Sequence, residues 1–103
     1  MKIEYKATYF DDLDDIADYI TTYFSADLAR RIVREIHNKC QALADRPRIG
    51  RFYPRNNYFN YYIVKKKNLV FYHIDEQCQT VTLHRIFDSR RDYNEAVSSI
   101  PED

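Results

Sequence analysis

Polar and apolar residues alternate at the start of the chain, over residues 2–9, which is the pattern of a half-buried strand. From residue 10 to residue 20 the apolar positions recur at helical spacing instead. They predict a first helix over about residues 11–22, with Asp11 as its N-cap and aspartates near the positive end of the helix dipole. The chain is therefore predicted to begin with a strand and a helix.

A longer helical stripe of apolar residues runs from Ser25 to Asp45. Ser25 is a favourable N-cap, and Pro47 cannot continue the helix. Gly50, the one glycine of the chain, marks a turn that other residues tolerate poorly. Because only about three residues separate the two helices, they are predicted to pack as an antiparallel hairpin.

The hydrophobic period changes to two in the second half of the chain. Residues 58–65, 69–75 and 80–87 are rich in tyrosine, valine and isoleucine and are predicted to be strands. Their short connections require antiparallel pairing. The predicted fold class is α+β, with an N-terminal strand and the helical hairpin packed on one face of a mainly antiparallel sheet of roughly three to four strands. The other face of the sheet is expected to stay open.

Composition predicts one domain over residues 1–103. A chain of this length supports one hydrophobic core, and 45% hydrophobic with 31% charged residues is typical of a folded domain. No apolar stretch approaches the roughly 18 residues that cross a bilayer, and the first residues lack the hydrophobic region of a signal peptide. We expect a cytoplasmic protein without a membrane partner.

Formal charge is zero overall but unevenly distributed. Residues 1–27 carry a net charge of −5, and residues 28–55 carry a net charge of +6. Segregated charge of this kind could steer a large anionic or acidic partner to the basic flank. Alternatively, the two neighbouring helices attract each other through their solvated faces, and both explanations can hold together.

Cysteines, histidines and the single glycine argue against a metal or a nucleotide cofactor. Cys40 lies on the apolar face of the second helix and Cys78 in a polar turn, so we expect one buried and one exposed free thiol. The three histidines lack metal-ligand spacing, and His37 is predicted to be structural. A chain with one glycine cannot build a glycine-rich phosphate loop.

Basic and aromatic residues at the end of the last predicted strand are the candidates for catalysis. Metal-independent RNA cleavage needs a base, a cation that stabilises the charged phosphorus intermediate, and an acid for the leaving oxygen. Arg85, Arg90 and Arg91 could supply the cation, and His84 or Tyr93 could supply the acid or base. In the alternative interpretation Arg85 pairs with a helix carboxylate, and Arg90 and Arg91 are solvated at the end of the strand.

Tyrosines on and beside the predicted strands have two possible roles. Stacking of a base on an aromatic ring contributes roughly 1–3 kcal/mol per base. Half-buried tyrosines are also favourable strand residues, and we favour packing for each of them. They are Tyr58, Tyr61, Tyr62 and Tyr72.

Three segments of the chain together resemble a known family. They are the helix start Phe10-Asp11-Asp12-Leu13-Asp14-Asp15-Ile16-Ala17, the turn Leu43-x3-Pro47-x2-Gly50-Arg51 and the end Arg85-Ile86-x3-Arg90-Arg91-Asp92. In this order and separation they are similar to the RelE/ParE superfamily of type II toxins over nearly the whole chain. The resemblance implies the fold predicted above and the toxin of a toxin–antitoxin module, for example one for plasmid stabilization, which a cognate antitoxin inhibits.

The same resemblance implies two alternative activities. RelE-like members are ribosome-dependent mRNA endonucleases, whereas ParE-like members poison DNA gyrase. The turn at Gly50 and the end Arg90-Arg91-Asp92 look more ParE-like, and Asp88 stands where many relatives have histidine. We therefore expect a growth-inhibiting toxin that binds gyrase, with cleavage of ribosome-bound mRNA as the alternative. A non-toxic, antitoxin-binding relative is a third possibility.

Overall fold

A strand and a helical hairpin precede a run of strands in the computed structural model, which describes residues 1–102. Two short helices and a two-residue strand add to the predicted order. None of the helices in this stretch is long and apolar enough to cross a membrane. In chain order the elements are β1 (Lys2–Tyr5), α1 (Ala7–Tyr23), α2 (Ala26–Cys40), α3 (Ala42–Asp45), β2 (Arg51–Phe52), β3 (Asn60–Lys65), β4 (Asn68–Asp75), β5 (Thr80–Asp88) and α4 (Asn94–Ser98).

The strands form one mixed sheet in the order β1-β5-β4-β3-β2. The meander of β3, β4 and β5 is antiparallel as predicted, and β1 joins its edge parallel to β5. The two-residue β2 pairs with β3 at the opposite edge. The predicted α+β architecture is therefore confirmed, and the sheet has five strands because the two-residue β2 adds to the predicted N-terminal strand and meander.

The boundary between β1 and α1 lies earlier than predicted. The amide of Lys6 donates to the Leu83 carbonyl at 2.9 Å, and the amide of Tyr9 then donates to the Lys6 carbonyl at 3.0 Å. Lys6 is the N-cap of α1, without a side-chain hydrogen bond, so the prediction of Asp11 as N-cap is wrong. The physical reason is that Tyr9 fits both patterns: it continues the strand alternation, and it lies four residues before Leu13 on the buried helical stripe.

The start of α2 and the states of the two thiols agree with the sequence analysis. The Ser25 side chain accepts a hydrogen bond from the Leu28 amide at 3.0 Å, which confirms it as the N-cap. The predicted long helix is interrupted at Gln41, after which α3 begins. Cys40 is buried and Cys78 is exposed, and both are free. Burial raises the pKa of the Cys40 thiol to about 11, which keeps it protonated at neutral pH.

The main hydrophobic core lies between the helical hairpin and the sheet. Tyr9 is fully buried in it, and its hydroxyl lies 2.9 Å from Nδ1 of His37, which gives this histidine a place in the helix–helix contact. The buried members of this core are Tyr9, Leu13, Ile36, Cys40, Leu43, Val64, Val70, Tyr72, Val81, Leu83 and Ile86.

The turn at Gly50 packs closely against the sheet. A Cβ atom added to Gly50 would lie 2.4 Å from the Tyr61 carbonyl oxygen and 2.5 Å from the Tyr72 hydroxyl, so a larger residue does not fit there. The Tyr72 hydroxyl donates to the Pro47 carbonyl at 2.7 Å. Burial raises the pKa of Tyr72 to about 12, although a hydrogen bond with the Gly50 backbone opposes the shift. Glycine is therefore required by close approach, since Gly50 does not have positive φ.

The second face of the sheet is partly covered, so the expectation of an open face is wrong there. Leu69 and Phe71 are buried on this face beneath Tyr53 and Phe59 from the β2–β3 loop and Val97 from α4. These apolar strand residues would otherwise be exposed to water, and their burial stabilises the covered arrangement. The C-terminal helix was too short for its hydrophobic period to be recognised in the sequence.

Asp12 joins α1 to the edge of β5 that lies beyond the end of β1. Its Oδ2 accepts hydrogen bonds from the Ile86 amide at 2.8 Å and from Nε of Arg85 at 2.7 Å, and its Oδ1 accepts one from Nη2 of Arg85 at 3.1 Å. The Asp12 side chain is only 11% exposed and that of Arg85 31%. The Asp12 carboxylate thus accepts a hydrogen bond from a backbone amide that β1 is too short to pair, and it also neutralises the Arg85 guanidinium.

We expect Asp12→Ala to lower the free energy of unfolding by about 2–4 kcal/mol, because it leaves a buried amide and a half-buried guanidinium without their acceptor. Urea unfolding followed by circular dichroism measures the loss. Asp11→Ala, which removes an exposed carboxylate next in the chain, is the matched control and should change stability little. Equal stability of the two variants would contradict the role given to Asp12.

Candidate functional site

His84 and Arg85 are both embedded in the fold. His84 is 2% exposed, and its ring packs edge-to-face on Phe59 with the centroids 5.3 Å apart. Besides its ion pair with Asp12, the Arg85 guanidinium lies 4.7 Å from the ring centre of Phe87. Hydrogen bonding to Asp12 raises the pKa of Arg85. Arg85 thus has the partner that the alternative interpretation gave it, a carboxylate on a helix.

Tyr93 precedes α4 and anchors it to the sheet. Its ring is half-buried, with centroids 5.5 Å from Phe71 and 6.2 Å from Phe87. Its carbonyl accepts the Val97 amide at 2.9 Å, which closes the first turn of α4. The Tyr53 hydroxyl donates to Oδ1 of the next residue, Asn94, a contact that the sequence did not reveal. Tyr93 therefore contributes to the packing of the second face.

Arg90 and Arg91 are exposed in the turn that follows β5. Asp88 accepts hydrogen bonds from Nη2 of Arg90 at 2.9 Å, from its Nε at 3.1 Å and from its amide at 2.9 Å. The Arg91 amide donates to the Asp88 carbonyl at 3.0 Å, while its guanidinium forms no ion pair within residues 1–102. Asp88 orients Arg90, and Arg91 is left available to a partner.

Two lysines from the β3–β4 turn lie beside these arginines. The Ser89 amide donates to the Lys67 carbonyl at 2.6 Å, and β4 pairs with β5 up to the end of both strands. An antiparallel meander brings this turn and the end of β5 to one end of the sheet, so the predicted topology already contained the signal. We call the four exposed cations the basic end: Lys66, Lys67, Arg90 and Arg91.

The helical hairpin points toward the same end of the molecule. The Thr8 hydroxyl donates to the His84 carbonyl at 2.7 Å, and four residues further along α1 the Asp12 carboxylate meets the Ile86 amide. α1 therefore runs in the direction of β5. Hydrogen bonding to Asp88 is the main cause that raises the pKa of Arg90, and the nearby Tyr19 of α1 adds to it.

Three exposed aromatic residues lie at the turn of the hairpin. Tyr19 is 60% exposed, and Tyr23 and Phe24 are each 68% exposed. The rings of Tyr19 and Tyr23 lie 4.9 Å apart, so they form one apolar surface. We call these three residues the aromatic tip. Large exposed aromatic groups of this kind mark interaction surfaces.

The strand tyrosines are largely occupied by packing. Tyr72 is fully buried, and Tyr58, Tyr61 and Tyr62 are half-buried against the two cores. Tyr58 stacks on His73 with the ring centroids 3.8 Å apart. These contacts agree with the preference for packing over base stacking.

Hydrogen bonds from Arg90 lower the pKa of Asp88 from 3.8 to about 2. A carboxylate whose pKa is lower in the folded state stabilises the fold above its unfolded pKa, and this contribution is lost as the pH falls through the folded pKa. We expect the stability advantage of the wild type over Asp88→Asn to be constant above about pH 5, to decrease as the pH falls, and to vanish by about pH 1. NMR titration of Asp88 gives the pKa directly.

Arg90→Gln removes the main cause of that shift, so the pKa of Asp88 should return toward 3.8. Arg91→Gln serves as the control, because the Arg91 side chain does not contact Asp88 through an ion pair. An unchanged pKa of Asp88 in Arg90→Gln would show that the pair does not form in solution.

Solved toxin structures share this fold. A structure of the chromosomal ParDE toxin–antitoxin system from Pseudomonas aeruginosa superposes with a TM-score of 0.75 at 16% identity, over 85% of this chain and 95% of that one. A YoeB/ParE toxin from Agrobacterium tumefaciens gives 0.58 at 12% identity, over 85% and 98%. A metal-bound toxin from Helicobacter pylori gives 0.51 at 20% identity, over 87% and 96%. Within residues 1–102 of this chain, no group of His, Cys, Asp and Glu side chains could hold a metal ion.

Sequence comparison identifies the family. No curated protein matches the chain in sequence. A family model described as the ParE toxin of the type II toxin–antitoxin system, parDE, matches residues 3–93, which include both long helices and every strand except the first residue of β1. The chain therefore belongs to the family of ParE toxins of type II toxin–antitoxin systems.

Proposed function

We propose that this ParE-type toxin stops growth by binding DNA gyrase, and that the basic end and the aromatic tip form its contact surface. Family membership over residues 3–93 is the observation that carries the choice of target. The surface is proposed because it combines exposed cations with exposed aromatic rings at one end of the molecule. Gyrase works on DNA, whose phosphates attract such cations.

The placement of the candidate catalytic residues favours binding over RNA cleavage. A general acid or base must come within hydrogen-bond reach of the proton that it transfers. His84 is buried against Phe59, and Tyr93 is packed on Phe71 and Phe87. Arg90 and Arg91 remain exposed, but two cations without an accessible acid–base pair support binding of an anion better than catalysis.

A cognate antitoxin is the expected inhibitor. Its inhibitory segment should contribute carboxylates to the basic residues and apolar side chains to the exposed aromatic surface. Because exposed charges are screened beyond about 8–10 Å near physiological ionic strength, salt should slow the association of the two proteins. Cytoplasmic action follows from this proposal, since gyrase and DNA are cytoplasmic in bacteria.

Induction of the wild-type toxin without antitoxin should arrest growth and activate DNA-damage signalling while mRNA stays intact. Arg90→Ala with Arg91→Ala should weaken the arrest by roughly tenfold or more, because it removes half of the charge of the basic end. Lys2→Ala with Lys39→Ala makes the same change of charge at exposed sites elsewhere and should stay toxic. Circular dichroism confirms that each variant is folded.

Two outcomes would contradict this proposal. Full growth without antitoxin would make the chain a non-toxic, antitoxin-binding relative. Growth arrest with an undamaged chromosome would point to another target.

Codon-specific cleavage of ribosome-bound mRNA would support the endonuclease alternative. In that case wild type should cleave and Arg91→Ala should not, because Arg91 is an exposed cation that follows β5 and forms no ion pair in residues 1–102. Purified ribosomes carrying a defined message provide the assay. Equal cleavage by both proteins would remove Arg91 from the mechanism, and intact mRNA with both would exclude this activity.

A further inference from the structure

The outward faces of α1 and α2 carry opposite charges. On α1 the exposed positions facing away from the sheet include Asp14 and Asp18. On α2 the exposed positions are mainly basic, among them Arg31 and Arg34. The exposed acidic residues of α2 are each paired, Asp27 with Arg30 and Glu35 with Arg31 and Lys65. Both faces are solvated ridges, since the opposite sides of the helices are buried in the core.

The two ridges form no ion pair with each other within residues 1–102. Each ion pair that α2 forms in residues 1–102 stays on α2 or goes to Lys65, and the only pair that α1 forms is that of Asp12 with Arg85. Asp14, Asp18 and Arg34 have no ion pair in this part of the chain. The explanation that the charges attract the two helices of one molecule therefore finds no contact in support.

We propose that two copies of the chain associate face to face through the helical hairpin, with α1 of each copy lying on α2 of the other. A two-fold axis parallel to the helices and midway between them produces this arrangement. Under that operation an acidic ridge always meets a basic one, so the same complementary contact forms twice. An axis across the helices would oppose like charges and is disfavoured.

The positions of the charges along the hairpin fit this axis. The contact of Tyr9 with His37 shows which residues of α1 and α2 lie level with each other. Counting equal rise from that contact, Asp14 lies within one helical turn of Arg34, and Asp18 within one turn of Arg31. Asp27 is also close to the level of Asp18, but it is paired with Arg30. The two-fold rotation does not change the height of a residue along the helices. It therefore brings Asp14 and Asp18 each within reach of an arginine side chain of the other copy.

The expected interface is small. α1 has 17 residues and is about 25 Å long, so two helices packed side by side offer roughly 500 Å² per copy. The total of about 1,000 Å² lies at the lower limit for a specific interface. We therefore expect a weak dimer that depends on concentration and on salt.

Sedimentation equilibrium of the antitoxin-free toxin tests the proposal. Wild type should dimerise at about 0.01 M salt and dissociate at about 1 M salt, as the Debye length falls from roughly 30 to 3 Å. Asp14→Arg with Asp18→Arg, and separately Arg31→Glu with Arg34→Glu, should each weaken association at least tenfold at low salt, because like ridges then meet. An equimolar mixture of the two variants should restore it as a heterodimer.

Lys66→Glu with Lys67→Glu reverses two charges in the β3–β4 turn and should dimerise like wild type. Circular dichroism shows that each variant is folded. The proposal is overturned by a wild type that stays monomeric at low salt, by dimers that survive either reversal on the helices, or by a mixture that does not recombine. Thermal destabilisation by the reversals without any change in association would show that the charges act within one molecule. None of these results depends on gyrase as the target.

Discussion

The carboxylate of Asp12 is the constraint on which the arrangement of this toxin depends. β1 ends after Tyr5, so the remaining length of β5 would present an unpaired edge to α1. Asp12 satisfies the Ile86 amide at this edge and neutralises Arg85 beside it. Together with the hydrogen bond from Thr8 to the His84 carbonyl, this contact sets the direction of α1 along β5. That direction brings the aromatic tip toward the basic end.

Most of the fold could be predicted from the sequence, and the failures have physical causes. The hairpin, the Ser25 cap and the three-stranded meander followed from hydrophobic period and capping, which are local properties. The start of α1 could not be predicted in this way, because Tyr9 fits both the strand period and the helix period. Only its burial in the folded protein shows that it belongs to the helix. The pairing of Asp12 with Arg85 joins residues 73 apart and needs the folded sheet to become visible. β2 and α4 are too short to produce a recognisable period.

The location of the candidate site could be predicted from the sequence, but the roles of most of its residues could not. Arginines at the end of β5 were recognised, and the topology added Lys66 and Lys67 to them. The roles depend on α4, which packs Tyr93 against the sheet, and on the edge-to-face contact of His84 with Phe59. Embedded aromatic and imidazole groups stabilise this surface, while its cations are exposed to solvent. This end of the sheet thus presents cations to solvent but no accessible general acid.

The parallel pairing of β1 with β5 also determines when the sheet of this protein can be completed during its own synthesis. Lys2 pairs with Thr80 and Tyr5 with Leu83, so the first strand has no partner until residues 80–83 have left the ribosome. Such distant pairing has a high loop-closure cost and slows folding relative to local helix formation. Nascent toxin is therefore expected to pass through a stage with a formed hairpin and an incomplete sheet, and the sheet is completed only after translation of β5.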